Sequence, residues 1–380
     1  MQIKEFKLAG IYIHIPFCKQ ACHYCDFHFS TNTSQFQNMT SLIAREAILR
    51  KDFLNGESIT TIYFGGGTPS LAKPEWLEEI LSAIHTNFKL DLQEVTLEAN
   101  PDDLSPKKLA AWKKLGIDRL SLGIQSFQDE VLQFYNRAHN SKESLEAIEM
   151  ARGEGFKKFS MDLIYGFPHS DHSLWIQDLK TAISQHPGHL SCYALTVEEG
   201  TALGNWTQKG KFNPADEDFV AEQFEILQHL SEEAGYIQYE ISNFAQPGQE
   251  SLHNSLYWKG QSYLGLGPGA HSFDGEQRFL NPSHNPNYIK ALSQNLLPLI
   301  PEPLEEVDRL NEYLLTALRT RWGVDLEFLQ EKFKKDLLNE RSIKIREFEQ
   351  AGWLQWEKKS LSLTKSGMLL ADSIAQALFY

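Results

Sequence analysis

The chain has 380 residues, 42% of them apolar and 23% charged, which suits a large α/β domain joined to a smaller one. Its net charge of −14 excludes a general binder of DNA or RNA, because the phosphate backbone would repel it. No apolar run reaches the roughly 18 residues that a membrane-spanning helix needs, and the N-terminal residues lack the apolar core of a signal peptide, so we expect a cytoplasmic protein.

The first two-thirds of the chain alternate between strand-like and helical stretches. The predicted strands are rich in Val, Ile, Leu, Tyr or Phe and cover residues 10–16, 60–65, 94–100, 119–125, 159–166 and 189–197. Helical patterns lie between them at residues 35–54, 74–87, 105–115, 141–154 and 174–185. Because parallel neighbours need such crossover helices, the pattern predicts a parallel sheet of the α/β class. A partial (β/α)6 barrel and an open doubly wound sheet both fit it.

Polar or glycine residues follow nearly every predicted strand. Cys18 comes directly after the first strand. The motifs that end the next four strands are GGGTP (65–69), EANP (98–101), GIQS (123–126) and DLIYG (162–166). Since the carboxyl ends of parallel strands meet at one edge of a sheet or barrel, the pattern predicts one shared site there.

The pattern changes after the sixth predicted strand. We divide the chain into a barrel core (1–200), a barrel-associated extension (201–300) and a small C-terminal domain (301–380). The last part is predicted to hold helices at 305–321, 325–334 and 340–351, a hairpin around WLQWEKKSLSLT and a final helix, an order that resembles a winged helix. Acidic and basic residues nearly balance in this domain, and no basic stripe is present, which argues against DNA binding. We expect the domain to cover the mouth of the barrel or to contact a partner protein.

Three of the four cysteines lie within eight residues of one another: Cys18, Cys22 and Cys25. Such tight spacing in a large chain indicates a metal site rather than a disulfide framework. Three thiolates on one loop can hold three irons of a [4Fe–4S] cluster and leave the fourth iron open for a small molecule. A zinc knuckle completed by His14, His23 or His28 is the alternative. The fourth cysteine, Cys192, is predicted to be a buried hydrophobe on a strand.

The CX3CX2C spacing of the cysteine loop resembles the signature of the radical S-adenosylmethionine superfamily. The resemblance implies that the amine and carboxylate of S-adenosylmethionine bind the open iron. It also implies that one electron from the reduced cluster cleaves the sulfonium and gives a 5′-deoxyadenosyl radical. The superfamily uses a motif such as GGGTP to hold the methionine amine, because glycines let the backbone approach a ligand closely. A zinc knuckle does not need such a glycine motif, so GGGTP favours the cluster over zinc.

Several separate motifs match one family in order. The run YIHIPFCKQACHYCDF, followed by GGGTP, EANP, SLGIQSF, NRAH and DLIYGFP, resembles the oxygen-independent coproporphyrinogen III oxidase family of radical enzymes. The resemblance implies the residues that contact S-adenosylmethionine: Tyr12 beside the cluster, Tyr24 against the nucleoside, the backbone of Gly66, Gly67 and Thr68, and Glu98, Gln125, Arg137 and Asp162 at the methionine and ribose ends. Arg137 can pair with a carboxylate, and Asp162 or Gln125 can accept from ribose hydroxyls.

The sequence departs from the true oxidases in two places. Only 17 residues precede Cys18, whereas the oxidases carry a long N-terminal extension that helps build their active site. Phe27 stands where the oxidases have a further cysteine. We therefore expect cleavage of S-adenosylmethionine without coproporphyrinogen III oxidase activity. Oxidative decarboxylation in porphyrin biosynthesis is the alternative function.

The motif HNSLYW (253–258) and the stretch GLGPGAHSF (265–273) resemble a sister subgroup of that family, haem chaperones that pass haem to acceptor proteins. An imidazole is a common axial ligand of haem iron, so His253 is the predicted ligand, in a loop, with Tyr257 and Trp258 against the porphyrin. His271 is the rival ligand, and a purely structural loop is the alternative. The implied partners are haem, a haem-acceptor apoprotein and an electron donor for the cluster, with membrane association only peripheral, through the acceptor.

Overall fold

Two sheets organise the chain. The computed structural model describes residues 8–357 and 359–380. The strands in this part of the chain are β1 (Leu8–Ile15), β2 (Ser58–Gly66), β3 (Leu90–Ala99), β4 (Arg119–Gln125), β5 (Lys158–Tyr165), β6 (His189–Ala194), β7 (Ile237–Gln238), β8 (Asn243–Ala245), β9 (Tyr263–Leu266), β10 (His271–Phe273), β11 (Arg278–Leu280), β12 (Ile300–Glu302), β13 (Val324–Asp325), β14 (Leu354–Glu357) and β15 (Ser360–Leu363). Within those described residues, twelve strands form the large sheet, in the order β12-β11-β10-β9-β1-β2-β3-β4-β5-β6-β8-β7. The small antiparallel sheet has the order β13-β15-β14.

Helices connect the parallel strands and make up most of the C-terminal part. The α-helices are α1 (Phe36–Leu49), α2 (Pro74–Asn87), α3 (Pro106–Lys114), α4 (Asp129–Phe134), α5 (Ser141–Gly153), α6 (Ser173–Ser184), α7 (Ala202–Gln208), α8 (Glu217–Glu233), α9 (Leu252–Trp258), α10 (Asn285–Ser293), α11 (Glu306–Leu318), α12 (Leu326–Phe333), α13 (Leu337–Glu340), α14 (Ser342–Gln350), α15 (Lys365–Met368) and α16 (Ala371–Leu378). Short 3-10 helices cover Thr33–Gln35, Pro69–Leu71 and Pro101–Asp103.

The six strands β1 to β6 are parallel and lie side by side in chain order. Right-handed crossovers between strands in this order place the connecting helices on one face of the sheet. The opposite face, which we call the inner face, is left for other groups. The sheet does not close, because β9 lies beside β1 and β8 lies beside β6. The predicted partial (β/α)6 barrel is therefore confirmed, and the doubly wound alternative is wrong.

Side-chain alternation along β1 explains how this strand serves both faces. Ile11, Ile13 and Ile15 are fully buried and belong to the main hydrophobic core. Tyr12 and His14 alternate with them and point to the inner face. Strands that are covered on both faces read as nearly continuous apolar runs, which is why the sequence pattern located them.

Strands from the extension lengthen the large sheet at both edges. β8 pairs antiparallel with β6, and β7 pairs with β8. At the other edge β9 runs parallel to β1, and β10, β11 and β12 follow in antiparallel pairs. The predicted division into residues 1–200, 201–300 and 301–380 stays a proposal. The large sheet includes strands from the proposed extension and ends at β12, which lies at the boundary with the C-terminal part.

The C-terminal part holds α11 to α16 around the small sheet. α11 packs against α16, and α14 packs against β14. The predicted order of helices, hairpin and final helix is present, with β13 added as a third strand beside β15. A small helical domain with an antiparallel sheet is therefore confirmed.

No helix in the described residues combines the length and the apolar character that crossing a bilayer requires.

Candidate cofactor site

The cysteine loop lies directly beyond the carboxyl end of β1. The backbone N–H of Cys18 donates to the carbonyl of Ser30 at 3.1 Å, which ties the two ends of the loop together. The N–H of His23 donates to the carbonyl of Tyr135 at 3.1 Å, so the middle of the loop is attached to the end of α4. The loop is thus held at both its ends and its centre, as a cofactor ligand set requires.

The three loop cysteines are half-buried and none forms a disulfide. The Thr68 hydroxyl donates to Sγ of Cys18 at 3.4 Å. Nη1 of Arg137 donates to Sγ of Cys22 at 3.3 Å. Burial raises the pKa of Cys18 to about 11 and the pKa of Cys25 to about 12, so both stay protonated until a metal binds and displaces the proton.

The arrangement of possible ligands fits a cluster better than a single zinc ion. Nowhere in residues 8–357 and 359–380 do three His, Cys, Asp or Glu side chains come together closely enough to hold one metal ion. The thiolates of a [4Fe–4S] cluster bind different irons and need not converge on one point. The three candidate zinc ligands each use one ring nitrogen elsewhere: His14 on the His28 carbonyl, His23 on the Phe134 carbonyl and His28 on the Asn285 amide oxygen.

The glycine motif packs against the cysteine loop. The N–H of Thr68 donates to the carbonyl of Phe17 at 2.7 Å. A Cβ on Gly67 would lie 2.6 Å from the same carbonyl oxygen, and a Cβ on Gly66 would lie 2.6 Å from the ring of His14. Gly66 also has a φ of +102°, which side chains rarely adopt. These glycines are therefore required for the loop to pack, a reason that the sequence pattern alone did not reveal.

Arg137 is the residue that joins the separate strand ends. Its Nη2 donates to Oδ1 of Asn100 at 2.6 Å and to the carbonyl of Gly123 at 2.9 Å. Its Nη1 lies 3.5 Å from the hydroxyl of Tyr24, whose ring packs edge-on against Tyr135. The Nε of Arg137 is buried and has no hydrogen-bond partner in the described chain. One guanidinium donor is thus left for an anionic group, which fits a carboxylate such as that of methionine.

Two carboxyl groups lie on the inner face. Glu98 accepts a hydrogen bond from the hydroxyl of Tyr63 at 2.9 Å. Burial, together with the negative charge of Asp162, raises the pKa of Glu98 to about 8. Asp162 accepts from the hydroxyl of Ser121 at 3.0 Å, and burial raises its pKa to about 6. A cationic ligand such as a sulfonium or an ammonium would favour the ionised form of both groups.

Aromatic side chains complete this surface. The ring of Tyr12 stacks on that of Tyr63 at 6.1 Å. Tyr193 lies on β6, and burial of its hydroxyl together with the charge of Asp162 raises the pKa of that group, which is thus close to the carboxyl groups. Gln125 ends β4 with a φ of +67°. Tyr63 and Tyr193 were missed in the sequence because buried strands are rich in tyrosine for packing reasons alone.

His253 lies in α9, so the prediction of a loop is wrong. Its side chain is 1% exposed, and both ring nitrogens are hydrogen-bonded, Nδ1 to the hydroxyl of Thr61 at 2.7 Å and Nε2 to that of Tyr257 at 2.9 Å. The ring stacks on Tyr63 with the centroids 5.0 Å apart. In this conformation both ring nitrogens of His253 are occupied, so neither can bind iron. His253 could act as the haem ligand only after one of these hydrogen bonds breaks, and this role stays a prediction.

A buried ion pair explains why α9 sits inside the barrel. α9 contacts β1, β2 and β3. The carboxylate of Glu94 accepts from the backbone N–H groups of Leu252 at 3.2 Å and His253 at 3.1 Å, the first residues of α9. Nη1 of Arg119 lies 3.4 Å from Glu94. Nothing in the HNSLYW motif itself indicates this cap, since its acid lies on β3.

Two family models match the chain. The radical SAM superfamily matches residues 12–179, and the HemN C-terminal domain matches residues 304–370. Heme chaperone HemW of Bacillus subtilis (strain 168) is 34% identical, over 97% of this chain and 98% of that protein. The chain belongs to the HemW family of radical SAM proteins. A bovine relative of the family, the mitochondrial radical S-adenosyl methionine domain-containing protein 1, is 32% identical over 97% of this chain and 87% of that protein.

A solved structure confirms the fold of this HemW family member. Coproporphyrinogen III oxidase (HemN) from Escherichia coli superposes with a TM-score of 0.84, over 98% of this chain and 90% of that chain. The identity is 20%, so this likeness shows the fold alone. Radical SAM membership implies that the cofactors are a [4Fe–4S] cluster and S-adenosylmethionine, which confirms the predicted cofactor class. The roles of individual residues stay predictions.

Replacing Arg137 with alanine is expected to weaken S-adenosylmethionine binding roughly 10- to 100-fold, since a charge-assisted hydrogen bond contributes about 1.5–3 kcal/mol. The iron content should be unchanged, because the variant keeps the three cysteines. Calorimetry on reconstituted protein measures the affinity, and Arg45→Ala, an exposed arginine on α1, is the matched control. An affinity equal to that of the control would refute the assignment.

Proposed function

We propose that this protein binds haem and delivers it to an acceptor protein. The observation that carries the proposal is the near-full-length similarity to relatives that bear the name Heme chaperone HemW. The partners of the proposal are haem, a haem-acceptor apoprotein and an electron donor for the cluster. Association with a membrane would be peripheral and would come through the acceptor.

The cofactors are proposed to bind at the carboxyl ends of the strands. Cys18, Cys22 and Cys25 would hold the [4Fe–4S] cluster. The residues proposed to hold S-adenosylmethionine are Tyr12, Tyr24, Gly66, Gly67, Thr68, Glu98, Gln125, Arg137 and Asp162. When bound, the two cofactors supply one-electron reductive chemistry. The chain's own contribution is a fixed cation at Arg137 and two half-buried carboxyl groups, Glu98 and Asp162, that keep the ligand's charged ends oriented.

Anaerobic reconstitution with iron and sulfide, followed by haem titration, tests the proposal. The reconstituted protein should develop a Soret band that saturates near one haem per chain. Loaded protein mixed with an apo-haem protein should then lose haem to it. A chain that takes up no haem at micromolar concentration, with its cluster intact, would contradict the proposal.

Coproporphyrinogen III oxidase activity is the second candidate, and the HemN-like fold is the observation in its favour. Phe27 argues against it. This side chain lies within the cysteine loop and is 67% exposed. The resemblance to the oxidases places it where they have a further cysteine. An apolar side chain cannot supply the thiol chemistry of that position.

The protein is therefore expected to convert no coproporphyrinogen III to protoporphyrinogen. The assay uses reconstituted protein, S-adenosylmethionine and a reductant under anaerobic conditions, with product followed by fluorescence after oxidation. A Phe27→Cys variant serves as the comparison, and turnover by this variant alone would show that the thiol at position 27 decides the activity. Sustained turnover by the unmodified protein would replace the chaperone proposal with the oxidase.

A further inference from the structure

The strands β10, β11 and β12 carry two rows of side chains on one face. Cross-strand register pairs His271 with Leu280 and Leu280 with Ile300, which makes the first row. The second row is Phe273, Arg278 and Glu302. Directly paired residues in antiparallel strands point to the same side, so each row forms a continuous strip of surface.

This face continues the inner face of the barrel. Phe273 pairs with Tyr263 of β9, and β9 in turn pairs with β1 so that Gly265 is opposite Tyr12. Ser272, which points the other way, accepts from Nη2 of Arg50 on α1 at 2.9 Å. The two rows therefore lie on the same side of the sheet as the proposed S-adenosylmethionine site.

The two rows differ in what covers them. In the second row, Nη2 of Arg278 donates to Glu312 of α11 at 2.7 Å, and Phe273 packs near Tyr263, whose ring meets Tyr257 of α9. In the first row, His271 is exposed and Ile300 is 50% exposed. Neither ring nitrogen of His271 makes a hydrogen bond to the described part of the chain. The first row is thus an open apolar strip that ends in an imidazole without a hydrogen-bond partner in the described residues, beside the charges of Arg278 and Glu302 in the second row.

The first row also lies at the mouth end of the sheet. His271 begins β10 directly after the turn that follows β9, and β9 runs parallel to β1. A Cβ on Gly269 in that turn would lie 3.5 Å from Cβ of His28, which belongs to the cysteine loop. His271 therefore stands beside the cofactor end of the barrel rather than at its floor, where α9 lies.

A buried network fixes the position of this turn. The carboxylate of Glu46 accepts from the N–H of Gly267 at 2.8 Å and from Nδ2 of Asn281 at 2.8 Å. Arg50, which lies 3.1 Å from Glu46, donates to the carbonyl of Gly265 at 2.8 Å. The segment before His271 and the residue after Leu280 are thus held in place, which is the rigid support that an axial ligand needs.

We propose that haem binds on this open strip, with His271 as an axial ligand and with Leu280 and Ile300 against one face of the porphyrin. The proposal rests on the proposed haem-binding function. A large, flat, apolar ring with a metal at its centre is the ligand that matches an exposed imidazole with both ring nitrogens free of hydrogen bonds beside aliphatic side chains. His253 lacks both features, because its nitrogens are occupied and its surroundings are buried.

The test is haem titration of the full-length, reconstituted protein by absorbance. His271→Ala should move the Soret band and weaken haem binding at least tenfold, whereas His229→Ala, an exposed histidine on α8, should do neither. Ile300→Glu should weaken binding of both haem and metal-free protoporphyrin IX, because it places a charge against the ring. Metal-free porphyrin should bind equally to the unmodified protein and to His271→Ala.

The outcomes separate the two proposals. If the unmodified protein binds no haem, the proposed function fails. If it binds haem and His271→Ala leaves the spectrum and affinity unchanged, this site is wrong and the function stands. A Soret shift in His253→Phe but not in His271→Ala would show that His253 on α9, and not His271, is the axial ligand. A dimer that Ile300→Glu dissociates without any change in haem binding would make the strip an interface between copies and overturn the site.

Discussion

Replacing Cys18, Cys22 and Cys25 together with alanine is expected to remove the cluster completely. The unmodified, reconstituted protein should hold about four irons and four sulfides per chain, and the triple variant close to none. Thiolates are the ligands of such clusters, and within residues 8–357 and 359–380 no three Cys, His, Asp or Glu side chains lie close enough together to hold a single metal ion. The brown absorbance and the reductive release of 5′-deoxyadenosine should disappear together.

The matched control is Cys192→Ala. Cys192 lies on β6, is 1% exposed, and burial raises the pKa of its thiol strongly, as expected for a structural cysteine. This variant should keep its iron and sulfide. Stoichiometric zinc in the purified protein, together with failure to take up iron, would refute the cluster, as would full iron content in the triple variant.

Breaking the Glu46–Arg50 pair is expected to cause the largest loss of stability. The two side chains are 0% and 2% exposed and lie 3.1 Å apart. Glu46 also accepts from the hydroxyl of Tyr288 at 2.6 Å. Removing one partner of a buried pair leaves a buried charge uncompensated, which costs about 3–5 kcal/mol. Glu46→Leu should therefore lower the free energy of unfolding by about that amount.

Urea denaturation measures this effect, and the chain supplies a close control. Lys142 and Glu146 form a pair with the same spacing of four residues, but their side chains are 83% and 57% exposed. Glu146→Leu should change the free energy of unfolding by less than about 1 kcal/mol. The double variant Glu46→Leu, Arg50→Leu should be more stable than Glu46→Leu alone. Equal effects of Glu46→Leu and Glu146→Leu would contradict the account.

The parallel core and the cysteine loop were predictable from local patterns. Buried strands such as β1 are nearly continuous apolar runs, and the spacing of three cysteines within eight residues is itself the signal. The helices between the predicted strands indicated that neighbouring strands are parallel. Each of these features depends on residues that are close together in the chain.

The placement of His253 was not predictable because it depends on distant residues. Thr61, which bonds its ring, is 192 residues away, and Glu94, which caps its helix, is 159 residues away. The residues of the HNSLYW motif do not indicate that Thr61 and Glu94 are these partners. The open strip at His271 likewise appears only when three short strands are paired in register. Local sequence indicated His253 and His271 as candidate haem ligands, and tertiary contacts decide which ring nitrogens are already hydrogen-bonded.

Transfer of haem from the reconstituted, haem-loaded protein to an apo-haem protein tests the central claim most directly. The Soret band of the acceptor should grow as that of the loaded protein falls, with equal amounts of haem gained and lost and with the cluster still present. Tight retention of haem by the loaded protein, or no initial uptake of haem, would contradict the proposal that this chain is a haem chaperone.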